Sequence, residues 1–230
     1  MLRMRVEPYG VDSFVHVVKR GARGLPIVSN ELESQRFLRL LYYMNDSYLD
    51  PAWDRMTAAK ELFSRPGHWK TRQPLVEIHA FTLMPNHIHI LLKEINEGGI
   101  TTFMRKICQS MTNYHNEKYQ QKGSLFQGPY RGRTIDTDVY FKYVAVYIMV
   151  KNVFELYPKG GLRGAIDEFE EAWQWAFAYP YSSLAWYAGI QRSPISEHQL
   201  LNGSFASATE FKKFSRDVIR SGKWLEVEFN

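Results

Sequence analysis

Apolar positions repeat with two different periods along this chain. Alternation of β-branched and aromatic residues with smaller or polar ones predicts strands at 13–18, 75–83 and 87–94, and a further extended stretch runs over 124–136. The second and third of these runs flank Met84-Pro85-Asn86, which predicts an antiparallel hairpin. The strands therefore divide into a lone first strand, a central hairpin and a late fourth strand.

Between and after the strands, apolar residues recur at helical spacing. Three major helices are predicted, and they begin after the capping-box pair Asn30 and Glu33, at Thr101, and at Asp136 or Thr137. The third, over about 139–157, is apolar on nearly all sides and should be largely buried. Shorter helical pieces are predicted at 52–64 and near 208–221.

The predicted order is β-α-β-β-α-β-α. Hairpin strands combined with helical crossovers are typical of an α+β fold of the ferredoxin-like kind, in which helices pack on an antiparallel sheet. We therefore expect a ferredoxin-like sandwich followed by a helical C-terminal part.

Composition narrows the class of protein without naming an activity. The 230 residues are 45% hydrophobic and 23% charged, as in globular proteins and unlike a disordered chain. The longest apolar run, Tyr143 to Val150, is too short to cross a bilayer, and the charged N-terminus lacks the apolar stretch of a secretory signal. A single cysteine, Cys108, fits a reducing cytoplasm. The formal charge of +5 permits a polyanionic partner without requiring one.

Two histidines stand out on the predicted hairpin. His87 and His89 are two residues apart on a strand, so both imidazoles leave the same face and can reach one divalent metal ion. The same spacing also fits a pair of solvent-facing histidines on an edge strand. The surrounding string FTLMPNHIHILL favours the metal site over that simpler interpretation.

This string resembles the metal-binding strand of the HUH-type single-tyrosine transposases, in particular the REP-associated tyrosine transposases. LFQGPYRGRTID is similar to the family's strand after the second helix, DVYFKYVAVYI to its tyrosine-bearing helix, and YPYSSLAWYAG to the stretch that follows. With HVVKRGARG in the first strand and loop, the resemblance covers about residues 13–189. It implies a transposase-like catalytic domain over 1–189, with 190–230 as a helical appendage.

The resemblance also implies a nucleophile. Tyr147 matches the tyrosine whose phenolate attacks a DNA phosphodiester in this family. Tyr140, Tyr143 and Lys151 share its stripe on an ideal helix, so Tyr143 is the alternative, and aromatic residues at this spacing are also typical of a core. Four residues after the tyrosine the family usually carries Asn or Gln as the third metal ligand. Lys151 stands there instead, and an ammonium group has no acceptor with which to bind a cation.

The departure at Lys151 leaves the third ligand open. On an ideal helix Asn152 lies about 140° from Tyr147, so it can replace the missing ligand only if the helix is locally distorted. Glu155 and His79 are the other candidates. Lys151 itself could favour the phenolate of Tyr147, whose reference pKa is about 10, and pair with the scissile phosphate, or it could snorkel to the surface.

By this resemblance the reaction is transesterification of single-stranded DNA that carries a hairpin. It is assisted by Mg²⁺ or Mn²⁺ and passes through a 5′-phosphotyrosine. Basic and aromatic residues around the first and last strands are the predicted DNA contacts: Lys19, Arg20, Arg23, Tyr130, Arg131 and Arg133. A homodimer is compatible with the family.

Three other functions fit parts of the sequence. A domesticated protein of the same fold would bind hairpins without moving DNA, and the lysine at position 151 is compatible with that loss. An RNA-recognition domain has a similar sheet, but its aromatic RNP string is missing here. A metal-dependent hydrolase would use the two histidines without a covalent step.

Overall fold

In the computed structural model, residues 7–58, 62–187, 194–196 and 203–227 are described, and they form an α+β fold. Its sheet is antiparallel and consists of β1 (Phe14–Arg20), β2 (Val76–Met84), β3 (His87–Glu94) and β4 (Arg131–Ile135). The strand order is β2-β3-β1-β4, which places the first and third strands in the centre. The predicted fold class is confirmed.

Helices cover both faces of this sheet. On one face lie α1 (Glu31–Tyr43), the short α2 (Trp53–Thr57) and α3 (Gly99–Tyr119). The other face is covered by α4 (Asp138–Val146), α5 (Asn152–Phe154), α6 (Gly161–Asp167), α7 (Phe169–Ala178) and α9 (Ala208–Ser221). The segment before α8 (Leu184–Tyr187) runs along the outer edge of β2.

The alternation along β3 divides its side chains between two cores. Ile88, Ile90 and Leu92 are fully buried against the layer of α1 and α3. His89 and Leu91 point to the opposite face and are buried beneath α4 and the segment that follows it. The predicted metal-binding face is therefore interior at His89, whereas His87, at the start of the strand, is half-buried.

Two of the predicted helix starts are confirmed by their caps. The side chain of Asn30 accepts from the amide of Glu33 at 3.1 Å, and Thr137 accepts from the amide of Tyr140 at 3.2 Å. The helix predicted near 208–221 is α9. Within the predicted piece at 52–64, a helix extends only over Trp53–Thr57, and residues 59–61 lie outside the described residues.

The predicted cap at Thr101 is wrong. Helix α3 begins two residues earlier, at Gly99, because Glu94 at the end of β3 supplies the acceptor. Its carboxylate accepts from the amides of Gly99 at 3.1 Å and Ile100 at 2.7 Å. These are the first amides of the helix, which have no partner within it.

The third major helix is not uniform. Regular α-helix ends at Val146, residues Tyr147–Lys151 form a π turn, and α5 continues from Asn152. Helix α9 packs against α4, where Phe214 stacks on the ring of Tyr143. The predicted division at residues 189 and 190 lies outside the described residues and stays a prediction. In the described parts of the chain no helix is long and apolar enough to cross a membrane.

Candidate active site

The register of the sheet brings polar residues from three strands onto the face beneath α4. His87 pairs with Arg20 across β3 and β1, and His89 pairs with Val18. His16 lies two residues from Val18 on the same face and pairs with Arg133 of β4. This face of the sheet therefore carries three histidines together with Arg20 and Arg133.

His89 is buried, and its ring is held by another histidine. The distance between His89 Nδ1 and His16 Nε2 is 2.9 Å, a hydrogen bond between two imidazoles that are both almost inaccessible to solvent. His16 was not among the residues predicted for the site. Its signal in the sequence is a polar residue at the centre of SFVHVV, on the same side of the strand as Arg20.

His87 has a separate partner in the preceding residue. Its Nδ1 lies 2.6 Å from Oδ1 of Asn86, while Nδ2 of Asn86 donates to the carbonyl of Gly24 at 3.2 Å. Because the carbonyl of Gly24 can only accept, the amide orientation of Asn86 is fixed and its oxygen faces the imidazole. Nδ1 of His87 is then the donor, and in the neutral ring Nε2 is left with a lone pair.

All three imidazoles are neutral at physiological pH. Burial lowers the pKa of His87 from 6.5 to about 4, with further lowering from the charges of Arg20 and Lys151. Burial, followed by the neighbouring histidines, holds the pKa of His89 well below 6.5. Burial and then Arg133 lower the pKa of His16 to about 3. A histidine must be unprotonated to bind a metal ion, so the folded protein already holds the pair in that state.

Tyr147 is the tyrosine that lies against these imidazoles. Its ring centroid is 5.4 Å from that of His89 and 5.8 Å from that of His16, and the residue is 3% exposed. Tyr143, the alternative nucleophile, stacks on Phe214 instead. Tyr140 accepts a hydrogen bond from Arg133 through its hydroxyl group at 3.0 Å. Of the three tyrosines on this side of the helix, Tyr147 therefore contacts the histidines, Tyr143 packs on Phe214, and Tyr140 is hydrogen-bonded to Arg133.

The π turn changes the direction of Asn152. The backbone N–H of Asn152 donates to the carbonyl of Tyr147, five residues earlier, so this turn contains one residue more than an α-helical turn. Residues five apart in a π turn have nearly the angular relation of residues four apart in an α-helix. The local distortion that the sequence required for Asn152 is therefore present.

Asn152 is buried with its amide group unsatisfied. It is 1% exposed, and neither Oδ1 nor Nδ2 has a hydrogen-bond partner among the described residues. Buried amide groups are nearly always hydrogen-bonded, so such a side chain has unused capacity to bind a ligand. The turn itself is held to the sheet by Thr82, which pairs with His89 and donates its hydroxyl to the carbonyl of Ile148.

Lys151 is not a surface lysine, and that interpretation is wrong. It is 2% exposed, with Nζ 4.6 Å from the ring centroid of Tyr147 and 4.8 Å from that of Trp224. Nζ is also 2.7 Å from Oε1 of Glu155. The ammonium group is therefore held beside the candidate nucleophile, and Glu155 is engaged as its ion-pair partner.

His79, another candidate ligand, lies elsewhere on the sheet. It occupies a β-bulge in β2, where the register shifts between Ile78 and Ala80. Its ring contacts Phe14 and Phe141, and Nε2 is 3.4 Å from Oε2 of Glu77. Among the described residues, no three His, Cys, Asp or Glu side chains form a group that could hold a metal ion.

Comparison with known proteins agrees with this geometry. Residues 65–151 match the model of the family described as IS200-like transposases. The matched segment is less than half of the chain. It contains His87, His89 and Tyr147, and it confirms the resemblance to single-tyrosine transposases found in the sequence.

Outside this family match, no curated protein matches the chain. A solved structure of a REP-associated tyrosine transposase bound to a REP hairpin is similar at 14% identity, with a TM-score of 0.46. The alignment covers 86% of this chain and 92% of that one.

The predicted DNA contacts fall into two groups. Arg20 and Arg23 are exposed, and Arg131 lies half-buried on the face that carries the histidines. Lys19, by contrast, points to the opposite face, is 6% exposed, and donates to the carbonyl of Gly128 above the ring of Phe126. The structure therefore places Lys19 in the interior rather than on a DNA-binding surface.

Tyr130 and Arg133 already have partners within the protein. The hydroxyl of Tyr130 is 2.8 Å from that of Tyr9 and 3.0 Å from Oγ1 of Thr101. Arg133 donates to the hydroxyl of Tyr140 at 3.0 Å. Both side chains are half-buried, so only part of each is available to a nucleic acid.

Proposed function

We propose that this protein cleaves and rejoins single-stranded DNA by transesterification, with Tyr147 as the nucleophile. The observation that carries the proposal is the contact of the Tyr147 ring with the imidazole of His89, at 5.4 Å between centroids, in a segment of the IS200-like transposase family. Tyr143 and Tyr140 have other packing partners, which makes Tyr147 the better candidate.

In the proposed reaction the hydroxyl oxygen of Tyr147 attacks the phosphorus of a DNA phosphodiester. A bond from phosphorus to this oxygen forms, the bond to the 3′-oxygen breaks, and the 3′-oxygen takes up a proton to become a hydroxyl. The tyrosine proton passes to solvent, and the ammonium group of Lys151 beside the ring favours the ionised phenolate. The 5′-phosphotyrosine keeps the energy of the broken bond, so the 3′-hydroxyl of another strand can later reverse the step without a nucleotide cofactor.

The residues present fit a divalent metal ion. His87 and His89 would bind it through Nε2, because Nδ1 of each ring is already hydrogen-bonded. The amide oxygen of Asn152 would be the third ligand, since it is buried without a partner among the described residues. With the hard phosphate oxygens of the substrate as further ligands, Mg²⁺ or Mn²⁺ is the expected ion, and Mn²⁺ is the more tolerant of imidazole. Such an ion, when bound, would polarise the scissile phosphate and orient it for in-line attack.

The expected substrate is a single strand that carries a hairpin. A REP hairpin is bound by the similar solved protein. Arg20 and Arg23 are exposed on the loop side of β1, next to the strand end that carries His87, and can neutralise backbone phosphates there. Assembly into a homodimer and a cytoplasmic location stay predictions.

The proposal is tested by incubating the protein with end-labelled hairpin DNA and Mn²⁺, and then separating the products under denaturing conditions. We expect a protein–DNA adduct that Tyr147→Phe abolishes and that the matched variant Tyr143→Phe retains. An adduct that persists in Tyr147→Phe would overturn the assignment. Cleavage without any adduct would favour a hydrolase.

A second candidate is a hairpin-binding protein of the same fold that no longer transfers strands. The observation that favours it is Lys151, which stands where the family carries Asn or Gln and lies between the rings of Tyr147 and Trp224. Tight binding of the hairpin with no adduct, in the presence of Mn²⁺, would support this candidate over the enzyme.

A further inference from the structure

One histidine of the site has no role in the proposed reaction. His16 lies in the central strand β1, is 0% exposed, and contacts both His89 and Tyr147. Its neighbours in sequence, Val15 and Val17, belong to the apolar core on the other face of the sheet. An apolar residue would fill the position of His16 without the free energy needed to bury an imidazole, so packing alone does not account for it.

The two candidate metal ligands share one feature of their surroundings. In His87, Nδ1 is bound to Oδ1 of Asn86, and in His89, Nδ1 is bound to Nε2 of His16. In both rings, therefore, Nε2 is the nitrogen that can bind a metal ion. Asn86 and His16 occupy equivalent places, one at each imidazole, although one adjoins its partner in sequence and the other comes from a different strand.

The tautomers of this pair follow from the chemistry of the ring. For Nε2 of a neutral His89 to carry the lone pair that a metal needs, its proton must be on Nδ1. That Nδ1–H then donates to His16, whose Nε2 accepts and whose own proton is on Nδ1. The reverse arrangement would place a proton on Nε2 of His89 and block metal binding.

We propose that His16 is a positioning residue for His89: it accepts the hydrogen bond from Nδ1–H and so fixes the ring orientation and the tautomer in which Nε2 can bind the metal ion. This inference rests on the proposed metal site at His87 and His89. Groups that orient a metal ligand in this way raise metal affinity without touching the metal.

The first test is Mn²⁺ binding by the metal-free protein, measured by calorimetry with no DNA present. His16→Leu keeps the volume and removes the acceptor, and we expect it to weaken Mn²⁺ binding about 10- to 100-fold. His16→Gln carries an acceptor close to the place of Nε2 and should recover most of this loss. The matched control is His79→Leu, which removes a buried histidine from the same sheet at Phe14 and Phe141 and should leave Mn²⁺ affinity unchanged.

The second test reads the tautomer directly. Long-range ¹H–¹⁵N spectra of the metal-free protein should show His89 protonated on Nδ1 in the wild type and in His16→Gln, and a mixture of tautomers in His16→Leu. Protonation of His89 on Nε2 in the wild type would overturn the inference. So would wild-type Mn²⁺ affinity in a folded His16→Leu protein.

Failure of the proposed metal site gives a different result. In that case the wild type and a His87→Ala, His89→Ala double variant would bind Mn²⁺ equally weakly, whatever residue occupies position 16. The spectra would still show whether His16 sets the tautomer of His89, so the two ideas are decided separately.

Discussion

The backbone amide of Asn152 donates its hydrogen bond to the carbonyl of Tyr147, five residues earlier in the chain. This π turn contains one residue more than an α-helical turn. The side chain of Asn152, five residues after Tyr147, therefore leaves the helix in nearly the direction that a residue four after the tyrosine would have in an α-helix. Lys151 occupies that fourth position in the sequence. The carbonyl of Ile148 within the turn accepts from the hydroxyl of Thr82, which anchors the turn to β2.

Deletion of Lys151 should convert the π turn into a regular α-helical turn, because Tyr147 and Asn152 are then four residues apart. We expect the shortened protein to fold and to lose less than about tenfold in Mn²⁺ affinity. Removal of a residue that orients a metal ligand typically costs about tenfold or more. Adduct formation should slow, since the cation beside the phenol is gone. Calorimetry and the adduct assay measure the two effects.

Deletion of Asn152 is the matched control for this prediction. It shortens the helix by the same length but keeps Lys151 and removes the amide, so Mn²⁺ affinity should fall sharply. Equal losses of affinity in both deletions would show that the π turn does not serve to present Asn152.

The strands and major helices were predictable because their signals are local. Alternation marks β3, and the caps at Asn30 and Thr137 lie within three residues of the amides they bind. The start of α3 was missed because its acceptor, Glu94, belongs to the preceding strand. A sequence pattern identifies candidate caps close to the helix start. It does not show which carboxylate from another element the fold places at that start.

The site was predictable as far as its residues share one element. His87 and His89 follow from alternation, and Tyr147 from the resemblance. His16 was missed because its contact with His89 depends on the pairing of β1 with β3, which is long-range. The π turn entered the sequence analysis only as a condition on Asn152, because an ideal helix assumes 3.6 residues per turn. Lys19 was assigned to DNA although its place in the alternation, two residues after Val17, puts it on the core face.

Glu33 makes the stability of helix α1 depend on pH. Burial alone would raise the pKa of Glu33, but hydrogen bonds from Lys118, Tyr119 and the amide of Ser29 lower it below its ordinary value of 4.5. The stabilisation is therefore complete above that pH and is lost as the pH falls through the folded pKa. We expect Glu33→Gln to lower the free energy of unfolding at pH 7 by about 1 kcal/mol, after allowance for solvent screening.

Urea unfolding between pH 3 and about 7 measures this effect, because the ordinary range of carboxyl titration lies within it. The stability of Glu33→Gln should depend less steeply on pH below 4.5 than that of the wild type. The control is Glu31→Gln in the same first turn of α1, an exposed position that should keep the wild-type profile. Identical profiles in wild type and Glu33→Gln would refute the prediction.

Substitution of two adjacent basic residues of β1 should affect different properties, DNA binding for Arg20 and stability for Lys19. Arg20 is exposed on the face that carries His87, so Arg20→Ala should weaken hairpin binding and reduce the slope of log affinity against log salt by about one. Lys19 is buried on the other face against Gly128, so Lys19→Met should reduce the free energy of unfolding by about 1–3 kcal/mol and leave the slope unchanged. Anisotropy titrations at several salt concentrations and urea unfolding separate the two effects. Equal changes of slope would contradict the assignment of the two faces.

Asn152 should be a residue that the metal-free protein holds at a cost in stability. Its amide group is buried without a hydrogen-bond partner among the described residues, and an unsatisfied buried polar group costs about 1–3 kcal/mol. Leucine has a similar branched shape and no polar atoms, so Asn152→Leu should raise the free energy of unfolding by an amount in that range. The same variant should lose Mn²⁺ affinity and adduct formation, since the amide oxygen is gone. Gain of stability together with loss of metal binding is the combination expected of a ligand, because a residue selected for packing alone would show neither effect. If Asn152→Leu is instead less stable and binds Mn²⁺ as the wild type does, Asn152 is a structural residue and the third ligand lies elsewhere.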